Sequence, residues 1–228
     1  VYDNSLRKVD AEIFYECLGT KCLIGETSGG VLNENLPQCV NGFIIAKADG
    51  YRETRELYSS VQEGQVEIIM DKTYSRNVDL KLDGKIYSGS AIIYFVSDKD
   101  TKTVVYPGQK TVELGEGQYE IQVYIYKNSS IDIGESVSSQ CTDVPRGGFL
   151  GIIGLTKKKC FDIVIPAQII SNALVGGGKE NYYVLDDELS NSRTVEINAE
   201  SLAVPKTIED LQNNYILFET KGLDIGLK

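Results

Sequence analysis

The chain has 228 residues, with 23 Lys and Arg against 33 Asp and Glu, a formal charge of −10, and not one histidine. The missing histidines exclude Ser-His-Asp and Cys-His catalysis, HExxH sites and His-ligated zinc or haem. The negative charge opposes a phosphate backbone, so no nucleic-acid partner is expected. At 42% apolar residues the chain is built to bury a core in one large domain or two small ones.

Period-two alternation sets in near the start, where Val9, Ala11, Ile13 and Tyr15 alternate with Asp10, Glu12 and Phe14. A second such run, Asn41-Gly42-Phe43-Ile44-Ile45-Ala46, follows Leu36-Pro37 and leads to a turn at Asp49-Gly50. The rhythm returns at Val78 to Leu82, before the turn Asp83-Gly84. The stretches Ala91 to Val96, Tyr119 to Tyr126 and Phe161 to Ile165 are rich in β-branched and aromatic residues, as doubly covered strands are. Pro107-Gly108 and Glu116-Gly117 mark further turns, and Asn181 to Leu185 reads as another strand. One helix is predicted over 207–214, with Pro205 ahead of it, Thr207 as N-cap and Asp210 completing a capping box. Tyr215 to Thr220 then reads as a last strand and 221–228 as a tail.

An approximate repeat runs through this pattern. Ala11-Glu-Ile-Phe-Tyr15 matches Ala91-Ile-Ile-Tyr-Phe95, and after each, some way on, comes a turn and an alternating strand: 41–46 in one copy and 117–123 in the other. The expected fold is all-β, with two β-sandwich domains in tandem and one short C-terminal helix. The first spans 1–72 and the second, larger one 73–228, with the boundary near Asp71 to Ser75.

Five cysteines lie in two groups. Cys141 and Cys160 flank a Gly-rich segment between two strand-like stretches and are expected to form a disulfide closing the loop 141–160. Cys17, Cys22 and Cys39 allow three pairings, of which Cys22 with Cys39 or Cys17 with Cys22 is favoured. Disulfides imply an oxidising compartment. Asn128-Ser129-Ser130 is a glycosylation sequon, which agrees with that location. The chain begins at Val1, so it is expected to derive from a precursor that carried a signal peptide or membrane anchor.

The first half, through Ala11, Thr27, Gly30, Leu36-Pro37, Gly42-Phe43, Gly50-Tyr51 and Val66 to Met70, resembles the carboxypeptidase regulatory-like domain, a transthyretin-like, Ig-type sandwich. Val112-Glu113-Leu114 through Gly117-x-Tyr119 to Val123 looks like the same kind of strand pair. Gln38-Cys39-Val40-Asn41 is inserted relative to the family pattern. The resemblance covers about half of the chain and implies two Ig-like or transthyretin-like sandwiches, as in prokaryotic surface proteins that include the B-type repeats of collagen-binding adhesins. Some repeats of that type carry a Lys to Asn isopeptide bond, for which Lys81, Asn128 and Glu113 or Glu120 would be the residues here. The face shared by Val78, Leu80 and Leu82 turns Lys81 to solvent instead.

Without histidine, catalysis would rest on carboxylates, Lys, Tyr or Cys. Acids cluster at Asp98-Lys99-Asp100, Asp186-Asp187-Glu188 and Glu209-Asp210, and no pair stands out as a glycosidase pair. Asp98 and Asp100 have the spacing of calcium ligands, with Asp186, Asp187 and Glu188 as additions; a polar hairpin turn is the plainer reading. Calcium is the one cofactor that these spacings suggest. Val175-Gly176-Gly177-Gly178-Lys179 lacks the spacing of a phosphate loop and reads as a flexible turn. Phe149, Leu150, Ile152 and Ile153 sit among glycines ahead of Lys157-Lys158-Lys159, a composition suited either to a binding tip for a partner or membrane surface or to a hairpin tucked under the sandwich.

The expectation is a secreted or cell-surface, non-enzymatic structural or adhesive protein of a prokaryotic envelope, archaeal envelopes included, that meets a protein or glycan partner. One alternative is a filament or surface-layer subunit assembled by strand exchange. Another is a carbohydrate-binding or carboxylate-dependent carbohydrate-active protein.

Overall fold

The structure is a computed structural model that describes residues 1–133, 136–145, 156–165 and 168–228. Strands dominate, and the described residues hold two helices.

The first half contains β1 (Tyr2–Asp3), β2 (Glu12–Cys17), β3 (Thr20–Glu26), β4 (Gly42–Lys47), β5 (Thr54–Tyr58) and β6 (Ile69–Met70). β2 and β3 form a hairpin on the two-residue turn Leu18-Gly19, both at positive φ. They continue into an antiparallel sheet of order β3-β2-β4-β5, while β1 pairs in parallel with β6. The alternation read from the sequence buries Val9, Ala11 and Ile13, which pack with Ala46, Ile68 and Met70. Thr27 is buried because its hydroxyl accepts from Ala11 N at 2.8 Å and donates to Val9 O at 3.2 Å, which satisfies backbone at the mouth of β2.

The second half repeats that plan. It contains β7 (Thr73–Leu82), β8 (Lys85–Ile86), β9 (Ala91–Val96), β10 (Thr101–Tyr106), β11 (Thr111–Gly115), β12 (Gly117–Ile133), β13 (Ser136–Pro145), β14 (Thr156–Ile165), β15 (Gln168–Val184), α1 (Asp186–Asn191), β16 (Thr194–Ala199), α2 (Ile208–Thr220) and β17 (Asp224–Leu227). One sheet has the order β10-β9-β12-β15, the same hairpin-then-neighbours arrangement as β3-β2-β4-β5. In the other sheet β7 pairs in parallel with β16, as β1 does with β6. β11 and β17 complete its order β11-β7-β16-β17. Inner residues of both sheets, among them Leu80, Ile93, Phe95, Ile121, Val123 and Ile197, form one apolar cluster. The repeat seen in the sequence coincides with a repeat of strand order: Ile13 in β2 and Ile93 in β9 each lie on the first strand of a hairpin, and each pairs with the strand next to that hairpin in the sheet, at Ala46 and Val123.

β12 and β15 outgrow their sheet. β9 accompanies β12 only from Glu120 to Ile125, and beyond that point the described strand pairing of β12 and β15 is with each other alone. Ile133 faces Gln168, and Ser136 faces Ile165, so the two-stranded β13-β14 ladder keeps the register of the β12-β15 ladder. The result is a two-stranded ribbon growing from the β10-β9-β12-β15 sheet.

The C-terminal segment departs from expectation. Thr207 caps the helix and pairs reciprocally with Asp210 as expected, but the helix continues through Tyr215-Ile-Leu-Phe to Thr220. Tertiary packing overrides the β propensity of those residues: Asn214 and Phe218, one turn apart, are buried against β15, and Asn214 Nδ2 donates to Leu174 O at 2.7 Å and Ala203 O at 2.8 Å. The expected tail is not free, because β17 pairs with β16.

Candidate functional site

The disulfide Cys141–Cys160 is present, and the two cysteines are exposed register partners across the ribbon. In the first group the pairing is Cys17 with Cys39, with Cys22 free and exposed. This corrects both favoured pairings, and the reason is the strand order. β2 lies between β3 and β4, so Cys22 on β3 would have to reach across β2 to meet Cys39, which enters β4 beside the end of β2. Cys17 itself faces Thr20, while Cys22 faces Tyr15, so those two cysteines are not opposite one another. Cys39 is held further by Ser60, whose Oγ accepts from Cys39 N at 3.0 Å and meets Tyr15 Oη at 2.9 Å. The two disulfides fit an oxidising environment. No helix among the described residues is long and apolar enough to cross a membrane.

Several expected site residues are placed by the fold. Asn128 is exposed on the ribbon opposite Asn172, a position open to glycosylation. The apolar residues Phe149, Leu150, Ile152 and Ile153 lie outside the described residues. Phe161, two residues after Lys159, is half-exposed under the Lys159 ammonium, 5.0 Å from the ring centroid. Asp100 is occupied by cations of the chain itself: Lys102 Nζ lies at 3.2 Å and Arg52 Nη2 at 3.8 Å, and Ser97 Oγ donates to Asp100 Oδ1 at 3.1 Å. That is the polar hairpin reading. Asp186, Asp187 and Glu188 form the first turn of α1, where negative charge favours the helix terminus, and Asp186 Oδ1 accepts from Tyr74 Oη at 2.8 Å. Among the described residues no group of three or more Cys, Asp or Glu is arranged to hold a metal ion.

The isopeptide set is not brought together. Lys81 Nζ is ion-paired with Glu196 at 2.8 Å, Glu113 accepts from Thr73 Oγ1 at 2.7 Å, and Asn128 belongs to the opposite sheet. The glycine run 176–178 is a strand, not a turn. Gly177 N donates to Glu200 O at 3.1 Å and Lys179 N to Lys221 O at 2.9 Å, so neighbouring backbone lies directly against β15. At Gly177 φ is +123°, and a Cβ there would sit 1.8 Å from Val123 O. Backbone proximity, not phosphate, explains these glycines.

The sequence did not single out the outer face of the β10-β9-β12-β15 sheet. With Ile121, Val123 and Ile125 in the core, Gln118, Glu120, Gln122 and Tyr124 turn outward. The last three form a hydrogen-bonded row: Tyr124 Oη donates to Gln122 Oε1 at 3.1 Å, and Gln122 Nε2 donates to Glu120 Oε1. Burial raises the Tyr124 pKa, which keeps the hydroxyl a donor. Tyr94 meets Tyr124 edge-on at 5.9 Å, and α2 covers the far end of the row, with Phe218 stacked on Tyr124 at 4.2 Å. The near end opens into a cleft of ≈ 570 Å³ between this face, the Ser97–Lys99 turn and Arg52 from the first half. Asn181 and half-exposed Tyr183 complete its floor. The alternation of polar Gln118, Glu120 and Gln122 against apolar neighbours was the available signal for this face.

The cations of the cleft are already engaged. Arg52 lies between Asp71 at 3.9 Å and Asp100 at 3.8 Å, and Lys99 is ion-paired with Asp71. Burial raises the Asp71 pKa, but hydrogen bonds from Lys99 and Asn4 outweigh it and hold the carboxyl below its usual range.

No family model matches the chain, and neither a curated protein nor a solved structure matches it. The likeness to carboxypeptidase regulatory-like domains therefore stays with the residues named for it and does not extend to a family assignment.

Proposed function

We propose that this chain is a secreted or cell-surface, non-enzymatic structural or adhesive protein of a prokaryotic envelope, built from two Ig-like units in tandem. The observation that carries the reading is the ribbon. A sandwich-like unit extends two of its strands beyond their sheet and cross-links the extension at Cys141–Cys160, which stiffens a display element and suits an oxidising exterior. The repeated strand order β3-β2-β4-β5 and β10-β9-β12-β15 supports the tandem reading. So does Tyr119, whose hydroxyl is tied to Gly115, four residues earlier, in the manner of the tyrosine corner of Greek-key sandwiches.

Antibody labelling and protease shaving of intact cells of the source organism test the location. Surface labelling that disappears on shaving is expected; protein found solely in the reduced cytosol overturns the reading. Adhesion is tested by coating the purified chain on a surface and measuring cell or matrix attachment, with the Cys141→Ser, Cys160→Ser double variant expected to attach less.

A filament subunit is a second reading, favoured by β3, an open edge strand that carries the free, exposed Cys22. Electron microscopy of native material separates polymers from monomers.

A further inference from the structure

We propose that the cleft at the open end of the β12 row binds a neutral oligosaccharide; this rests on the surface-protein reading and names its partner. The cleft is shallow and water-facing, and its groups differ from those of a protein interface. On its floor the exposed ring of Tyr183 lies beside polar Gln118 and Asn181 rather than within a cluster of apolar side chains. What it offers is a half-exposed aromatic ring at Tyr183 beside two amides and a carboxylate. Gln118 is the register partner of Tyr183, and Glu120 that of Asn181, so these four side chains form a two-by-two block on one sheet face. Such a block presents a planar π surface for the C–H face of a sugar ring and, next to it, fixed groups that accept and donate to its hydroxyls.

The charge distribution selects the class of sugar. Arg52 and Lys99 are the cations of the cleft, and both are ion-paired with Asp71, Arg52 with Asp100 as well. The remaining ionised groups lining it, Asp98, Glu116 and Glu120, are acids. Among the described residues, a sulfated or uronate-containing glycan, or a phosphate, would therefore meet acids and no uncommitted cation, whereas an uncharged polyol finds acceptors for its hydroxyl protons. Glu120 is oriented before any ligand arrives: its Oε1 already accepts from Gln122 Nε2, which in turn is held by Tyr124. Among the described residues Glu120 Oε2 and the Asn181 side-chain amide have no hydrogen-bond partner, and both lie on the cleft floor. Preorganised polar groups of this kind lose little freedom on binding, which raises affinity for a ligand that matches them.

Titration calorimetry of the whole chain with neutral gluco-, manno- and galacto-oligosaccharides tests the proposal. Binding of at least one series is expected with Kd below about 1 mM, weakened at least ~10-fold by Tyr183→Ala and by Asn181→Ala. Both side chains are exposed, and the melting temperature of each variant checks that the fold is kept. Lys85→Ala, on an exposed β8 position in the other sheet, should leave the affinity unchanged. The proposal is overturned by no binding up to ~10 mM, by binding indifferent to both cleft variants, or by a preference for sulfated glycans. A salt-sensitive preference for a lysine-rich peptide would also overturn it, in favour of an acidic peptide-binding groove. Surface labelling that persists while glycan binding fails rejects the cleft and leaves the surface reading standing; cytosolic protein rejects the latter independently of the calorimetry.

Discussion

The Tyr119 hydroxyl accepts a hydrogen bond from Gly115 N at 3.2 Å and donates one to Gly115 O at 3.0 Å, so a buried side chain closes the connection between β11 and β12. β11 belongs to one sheet and β12 to the other, and this clamp fixes the point at which the chain crosses between them. Removing the hydroxyl alone leaves a buried peptide group without its partners. Tyr119→Phe should lower stability by about 1–3 kcal/mol without changing the fold, read as a shift in urea midpoint at constant m-value. An unchanged midpoint would mean that the clamp does not hold the crossover.

The cysteine pairing has a direct chemical readout. Under non-reducing conditions, peptide mapping should recover Cys17 linked to Cys39 and Cys141 linked to Cys160, with one alkylatable thiol at Cys22. Cys22→Ser should leave stability within ~0.5 kcal/mol of the parent, as for an exposed surface site. Cys39→Ser opens a crosslink spanning 22 residues and should cost about 3 kcal/mol. A Cys22 linkage in the mapped peptides would contradict the strand order described for the first sheet.

Gly177 tests whether the glycine run is structural. Because a Cβ at this position would overlap Val123 O in the adjacent strand, Gly177→Ala should destabilise by more than ~2 kcal/mol, measured by thermal or urea unfolding. Gly84→Ala, at a turn with open space around it but φ of +76°, should cost only about 1 kcal/mol. A flexible loop at 176–178 would show the reverse order.

Asp3 makes stability depend on acid pH. It is buried; burial pushes its pKa up, but hydrogen bonds from the backbone and side chain of Arg7 and from Ser5 N outweigh burial and hold it below the ordinary aspartate value. A depressed carboxyl stabilises the fold fully above its unfolded pKa of about 3.9 and loses that contribution as the pH falls through the lower folded value. Stability should therefore fall below about pH 4, and Asp3→Asn should be less stable near neutrality with a shallower acid limb. An acid limb of unchanged slope in the variant would remove Asp3 from the account.

Much of the architecture was legible because strand signals are local. Ala91 to Val96 is a strand with the expected bounds, Asp83-Gly84 makes the hairpin turn, and Thr207 and Asp210 cap their helix. Alternation and turn chemistry are written in adjacent residues and survive folding. The end of α2 was not legible, since Tyr215 to Phe218 favour a strand by composition and become helical only because β15 offers a surface for Asn214 and Phe218. The cleft was not legible either: Arg52, Ser97, Gln118 and Tyr183 are far apart in the chain, and only the crossing of strands collects them.

By itself, the sequence determined an all-β chain with a repeated strand pattern, two cysteine groups and no histidine chemistry, because composition, period and turns need no partner to be read. Tertiary structure alone decided that Cys17, and not Cys22, meets Cys39. It also decided that the glycine run is a tightly backed strand and that β12 and β15 continue into a cross-linked ribbon. Each of these depends on which strand lies beside which, and that order is set by long-range burial of apolar faces, which no local window of residues records.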